Sequence, residues 1–224
     1  MSSAPDLRRV VEHPRSGESK FPATCYPMAS GYLGDYLKEL ARAAGTIDEG
    51  QVERAAAILS EAHARRALIF SCGNGGSASI ANHMQCDHSL GIRRGTDLFP
   101  RGVSLSANVE LLTALANDLG YEHVFVHQLQ SQSRPGDVLV AISSSGKSQN
   151  IVQALQWARD NGLRTIAFTG FDGGGARDIA EVAVHVDCRN YGVVEDLHQA
   201  LMHSLAQYVR QSRMDAGTIL GTIF

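Results

Sequence analysis

The period of the apolar positions changes along this chain, and each change marks an element. Up to about residue 30, Ser, Pro, Arg and Glu are frequent and no period is visible. Residues 1–30 are therefore expected to be a flexible arm. Next, Tyr32, Leu33, Tyr36, Leu37, Leu40 and Ala41 recur at helical spacing, and Gly45 ends the run. Asp48 stands where it can cap a second helix, whose stripe is Val52, Ala55, Ala56 and Leu59. Two amphipathic helices ahead of the main domain have nothing of their own to cover. They are expected to pack on that domain or on another subunit.

After Arg66 short apolar runs alternate with helical patterns. Strands are predicted over 67–71, 102–106, 137–142, 164–169 and 182–186. Helices are predicted over 77–90, 108–117, 148–161 and 194–213. Nearly continuous apolar strands separated by helices imply an α/β, doubly wound, five-stranded parallel sheet covered on both faces. A chain of 224 residues suits one such core, placed over 31–224 with the two leading helices as its extension. Ligands of such sheets bind beyond the carboxyl ends of the strands.

Composition narrows the class. The formal net charge is -3 and no long basic run occurs, so no nucleic-acid footprint is present. No apolar stretch approaches the roughly 20 residues of a spanning helix, and no secretory signal is visible. Cys25, Cys72, Cys86 and Cys188 are scattered without a CxxC spacing, which fits reduced thiols in a cytoplasmic protein.

Two loops carry candidate chemistry. The third strand runs into Ser143-Ser144-Ser145-Gly146-Lys147-Ser148 and then a helix. Free N–H groups, a positive dipole end, four hydroxyls and a permissive glycine make a phosphate cradle. One serine would suit simple helix capping; four in six residues fit it poorly. The segment Gly146-Lys147-Ser148 lacks the upstream glycine of a nucleotide loop. The first strand ends in Cys72-Gly73-Asn74-Gly75-Gly76-Ser77, where glycines permit close approach to a ligand. Its spacing is not GxGxxG, which argues against a dinucleotide.

His83 and Asp87 are four apart on one predicted helix, and Glu195 and His203 are eight apart on the last. Two imidazoles and two carboxyls can converge from these helices. Such a set suits Zn²⁺ or a similar divalent ion, and equally suits acid–base catalysis. His88, His123, His127 and His185 have no such partners in sequence and are read as structural.

The motifs GNGGS at 73–77, AND at 116–118, GDVLVAISSSGKS at 136–148 and TGFDGG at 169–174 stand together in one order. With the last helix, 194–203, they resemble the SIS-domain (sugar isomerase) family, and within it the phosphoheptose isomerases, over residues 32–213. The resemblance implies an SIS-type sheet and a homotetramer with active sites shared between subunits. It implies conversion of sedoheptulose 7-phosphate to D-glycero-D-manno-heptose 7-phosphate through an enediol. Asp87 and His203 would be the proton-transfer pair. His83, Asp87, Glu195 and His203 would be the metal set, with zinc the implied ion. Asn74, Gly75, Ser77, Asn117, Asp118, Ser143, Ser144, Ser145, Ser148 and Glu195 would touch the substrate. The family normally has Glu at position 87 and Gln at 195, so this chain departs twice. Two alternatives stand beside this reading. One is an isomerase of another phosphosugar, and the other a non-catalytic SIS adaptor or sugar-phosphate-binding protein.

Overall fold

The computed structural model of this protein describes residues 21–224. Residues 1–20, most of the expected arm, lie outside the described residues. Two helices lead, α1 (Ala29–Ala44) and α2 (Glu49–Arg65). The Asp48 carboxylate accepts from Gln51 N–H at 3.1 Å and so caps α2, as the sequence suggests. Ahead of α1, the Phe21 and Tyr26 rings pack on Tyr32 of the helix, with centroids 5.1 and 5.2 Å away.

The sheet consists of β1 (Leu68–Gly73), β2 (Arg101–Ser104), β3 (Val138–Ser143), β4 (Arg164–Thr169) and β5 (Val182–His185). All pairs are parallel, in the order β2-β1-β3-β4-β5. Each predicted strand is present, with bounds within two residues of those predicted. Between them run α3 (Gly76–Cys86), α4 (Val109–Leu119), α5 (Val124–Gln132), α6 (Gln149–Asp160) and α7 (Gly174–Ile179). The chain closes with α8 (Tyr191–Gln211) and α9 (Ala216–Leu220). The sequence reading gives no helix for α5, α7 and α9.

Alternate strand residues face opposite layers. Ile69, Val138, Val140, Ile142, Ile166 and Phe168 meet the buried stripes of α2, α3 and α8. Phe70, Cys72, Leu139, Ala141 and Ala167 meet those of α5 and α6. Both faces are thereby dry, as a parallel sheet requires. The strand order reverses between β1 and β3. The loops after these strands therefore diverge at the switch point, where such sheets open a crevice. Register pairs Gly73 with Ile142 and Ser143 with Thr169, so the ends of β1, β3 and β4 are level.

One predicted helix is altered in a way that matters. The run 77–90 is α-helical only to Cys86; Asp87–Gly91 then forms a π turn closed by Ile92 N–H on the Asp87 carbonyl at 3.0 Å. The wider turn buries His88 against His63, with ring nitrogens 3.0 Å apart, while Asp87 remains in contact with α8. Such single π turns are frequent at functional sites.

Candidate active site

The loop from β3 to α6 is held by two of its own serines. Gly146 N–H donates to Ser143 Oγ at 3.1 Å, and Lys147 N–H to Ser145 Oγ at 3.3 Å. Gly146 takes a positive φ of 65°, which a glycine adopts without strain. The other two serines are left for something else. Ser148 is the N-cap of α6 by backbone shape, yet its side chain makes no capping bond. Ser144 is buried, and its hydroxyl has no hydrogen-bond partner among the described residues. A buried hydroxyl without a partner is costly, and here it sits beside the start of a helix. Capping alone therefore does not explain this loop.

The glycine loop after β1 is fastened to the first turn of α6. Asn74 and Asn150 exchange amide hydrogen bonds, both 2.9 Å, and Tyr121 O–H donates to Asn74 Oδ1 at 2.8 Å. Asn74 thus spends its carbonyl oxygen on structure, and its expected substrate contact is reduced to one amide hydrogen. Tyr121, unmarked by any sequence motif, takes part in this fastening. Gly75 turns the chain at φ 55° into α3, whose first turn holds buried Ser77. Asn117 and Asp118 end α4, where the Asn117 amide donates to the Asp118 carboxylate at 2.8 Å in the open.

The histidine and carboxylate group assembles from α3, the π turn and α8. His203 Nδ1 lies 2.8 Å from Asp87 Oδ2, and His83 Nε2 lies 3.4 Å from Asp87 Oδ1. The two imidazoles meet edge to face with centroids 4.8 Å apart. Ligand atoms of His83, Asp87 and His203 all lie within 4.8 Å of one another. The sequence reading overlooks Gln199, which sits between them. Its amide nitrogen is 2.8 Å from His203 Nε2 and 3.3 Å from His83 Nδ1. Its place four residues before His203 was the available signal.

Glu195, expected in the metal set, stands in the second turn of α8. It is not among the three residues whose ligand atoms cluster. The Glu195 carboxyl lies instead against Gly76, where any added Cβ would collide with it. Burial, and then the charge of Asp196, raises its pKa above the ordinary carboxyl value. The start of α8 is tied to the serine loop through the end of β4. Gly170 N–H donates to the Ser144 carbonyl at 3.0 Å, and Val194 fills the space a side chain at 170 would need.

Hydrogen bonds and packing thus link the two loops at the switch point to each other and to the start of α8. A profile of the SIS domain matches residues 32–170. The chain belongs to the SIS domain family. The phosphoheptose isomerase of Akkermansia muciniphila is 36% identical over 179 residues, covering 80% of this chain and 92% of that one. That of Rhodospirillum rubrum is 32% identical over 197 residues, covering 87% and 98%. The solved structure of phosphoheptose isomerase from Neisseria gonorrhoeae superposes with a TM-score of 0.75 at 29% identity, covering 82% of this chain and all of that one. Five parallel strands flanked by helices are the SIS architecture expected from the sequence. Among the described residues no helix is long and apolar enough to cross a membrane.

Proposed function

We propose that this SIS protein is a sugar-phosphate aldose–ketose isomerase that converts sedoheptulose 7-phosphate to D-glycero-D-manno-heptose 7-phosphate. The observation that carries the reading is the pair Asp87–His203, joined at 2.8 Å from positions 116 residues apart. The relatives named phosphoheptose isomerase support the substrate class. The Ser144 and Ser148 hydroxyls, with the N–H groups opening α6, hold the phosphate; Ser143 and Ser145 shape the loop around it. Asn74, Gly75 and Ser77 line the sugar from one side, and Asn117 and Asp118 meet its hydroxyls from α4. Asp87 fixes the His203 ring by accepting from Nδ1, which leaves Nε2 to exchange protons with the substrate oxygens. Gln199 holds Nε2 until substrate arrives.

His83, Asp87 and His203 offer two imidazoles and a carboxylate, a donor set that suits zinc. A divalent ion bound there would polarise the carbonyl and stabilise the enediolate. Leu33 and Leu37, exposed on α1, support the homotetramer expected from the family, with sites shared between subunits in the cytoplasm. Asp87 and Glu195, shorter and more acidic than the family's usual residues, keep a second phosphosugar substrate in play. One experiment tests the assignment. NMR of products from a panel of ketose phosphates, with metal analysis of the same protein, should give heptose 7-phosphate from sedoheptulose 7-phosphate. No conversion of any ketose phosphate refutes it.

A further inference from the structure

β5 is the last strand of the sheet, so one side of its backbone has no neighbouring strand. Backbone groups of alternate residues in a strand face the same side. Val186 N–H donates to the Thr169 carbonyl at 2.8 Å, so the even-numbered residues of this run face β4 and the odd-numbered ones face the free edge. Both ends of that edge are covered. Arg54 Nη2 donates to the Glu181 carbonyl at 3.0 Å, Arg42 Nη2 to the Asp187 carbonyl at 2.9 Å, and Asp187 N–H to Thr46 Oγ1 at 3.0 Å. Between them, the outward N–H and C=O groups of Ala183 and His185 have no hydrogen-bond partner among the described residues.

Over this gap lies a cavity of about 440 Å³, with Gln51, Arg54, Arg177, Ala183 and His185 in its wall. That volume falls within the range of small-molecule sites. The carboxylates in the wall are committed. Glu181 takes Arg164 Nε at 2.6 Å, and Asp48 caps α2. The cations are freer. Arg54 gives one nitrogen to a neutral carbonyl. The Arg177 guanidinium makes no hydrogen bond or ion pair with the described residues, and its stem lies across Gly173, where a side chain would displace it. His185 uses Nδ1 on Thr169 Oγ1 at 3.0 Å, which leaves Nε2. Burial, and then the positive charge of Arg177, lowers the His185 pKa from its ordinary value, so these two groups are near neighbours.

We propose that this cavity is a second anion site, which takes the phosphoryl group of a small phosphorylated metabolite, or inorganic phosphate itself, between Arg54 and Arg177. Two guanidinium forks approaching from α2 and α7 suit an anion with several terminal oxygens. The exposed donors and acceptors of Ala183 and His185 suit the hydroxyls of the rest of the ligand. Strand addition does not fit this edge, because the covered ends leave only Ala183 and His185 open and a pairing peptide needs a longer run. None of these residues belongs to the serine loop or to the His83, Asp87 and His203 group, so the site stands independently of the isomerase reading.

The test first weakens the serine loop with Ser144→Ala and Ser148→Ala in the full chain. Heteronuclear NMR then follows the backbone N–H signals of Ala183 and His185 during titration with inorganic phosphate and, separately, with sedoheptulose 7-phosphate. Both signals should shift and saturate, and the ligand with the lower Kd identifies the source of the phosphoryl group. Arg177→Gln in the same background should raise that Kd at least about tenfold, and Arg177→Lys should recover part of the loss. Because Arg177 has no partner among the described residues, neither change should move Tm by more than about 2 °C. Signals of Ala183 and His185 that neither ligand moves overturn the inference, as does an unchanged Kd in Arg177→Gln. Absence of turnover of any ketose phosphate by the wild-type protein would strike the isomerase reading alone, so the two failures are told apart.

Discussion

Gly146 is where the serine loop is least forgiving. A Cβ there would overlap the Gly173 carbonyl oxygen and stand 2.6 Å from its carbon and 3.3 Å from Gly174 N. All three obstacles are backbone, so no rotamer change relieves them. The φ of 65° adds the left-handed cost of an L-residue, about 1–2 kcal/mol. Separation of the two loops would also break the 3.0 Å bond from Ala176 N–H to the Gly146 carbonyl, worth about 1 kcal/mol. Gly146→Ala should therefore destabilise by about 2–4 kcal/mol in all. For a domain of this size each kcal/mol moves Tm by about 2–4 °C, so the drop should be roughly 4–16 °C. Because the shift occurs beside the Ser144 and Ser148 hydroxyls, affinity for inorganic phosphate should fall at least about tenfold, near 1.4 kcal/mol. Differential scanning fluorimetry and calorimetric phosphate titration read both effects. Gly34→Ala, on α1 with nothing within 4 Å of the new methyl, serves as control and should stabilise by about 0.5–1 kcal/mol. A Gly146→Ala protein within about 2 °C of wild-type Tm, with unchanged phosphate affinity, would refute the reasoning.

Two further outcomes follow from the buried and catalytic groups. Asp87→Asn removes the acceptor that fixes the His203 ring, so kcat should fall at least about 100-fold while phosphosugar binding persists; isothermal titration alongside a turnover assay separates the two. His198 is fully buried on α8, and burial pushes its pKa down to about 4. Its folded value lies below the unfolded one, so its contribution is full above about pH 6.5 and is lost as pH falls toward 4. At pH 5.5 it should cost on the order of 1 kcal/mol, and urea unfolding of His198→Leu should lack that share of the acid sensitivity.

The parts of the fold legible in the sequence are those fixed by burial on both sides. Val138-Leu139-Val140-Ala141-Ile142 reads as a strand because each residue meets one of two dry layers. Strand ends are less legible, since β1 and β3 finish in Gly73 and Ser143, residues shaped by the ligand loops rather than by the core. The short α7 begins with two glycines, and no helical pattern announces it. In α5 the residues Val124, Phe125 and Leu129 do carry a periodic signal, too brief to stand out. The π turn leaves no trace in the apolar pattern, though it puts Asp87 in reach of His203. For the site, periodicity finds the face shared by Glu195 and His203 but not which of their atoms come together; the structure clusters those of His83, Asp87 and His203. Gln199 carries no charge and does not titrate, so the pattern of ionisable residues does not mark it.

The serine loop contains a conflict between stability and binding that can be measured with opposite signs. Ser143 and Ser145 hold the loop's backbone, whereas Ser144 buries a hydroxyl that nothing in the described chain satisfies. An unsatisfied buried hydroxyl destabilises by about 1–3 kcal/mol. If the Ser144 hydroxyl is kept for a phosphate oxygen, Ser144→Ala should leave the free protein as stable as wild type or more so. The same change should weaken phosphosugar binding by about 1–2 kcal/mol, since a hydrogen bond to a charged acceptor is lost. Ligand stabilisation of wild type, about 2.7 kcal/mol at a hundredfold excess over Kd, should shrink in the variant at equal ligand concentration. Thermal melts with and without ligand give both quantities from one preparation. Should Ser144→Ala lower the free protein's Tm and leave the ligand shift intact, the hydroxyl would be structural. The loop would then hold its anion by backbone N–H groups and Ser148 alone.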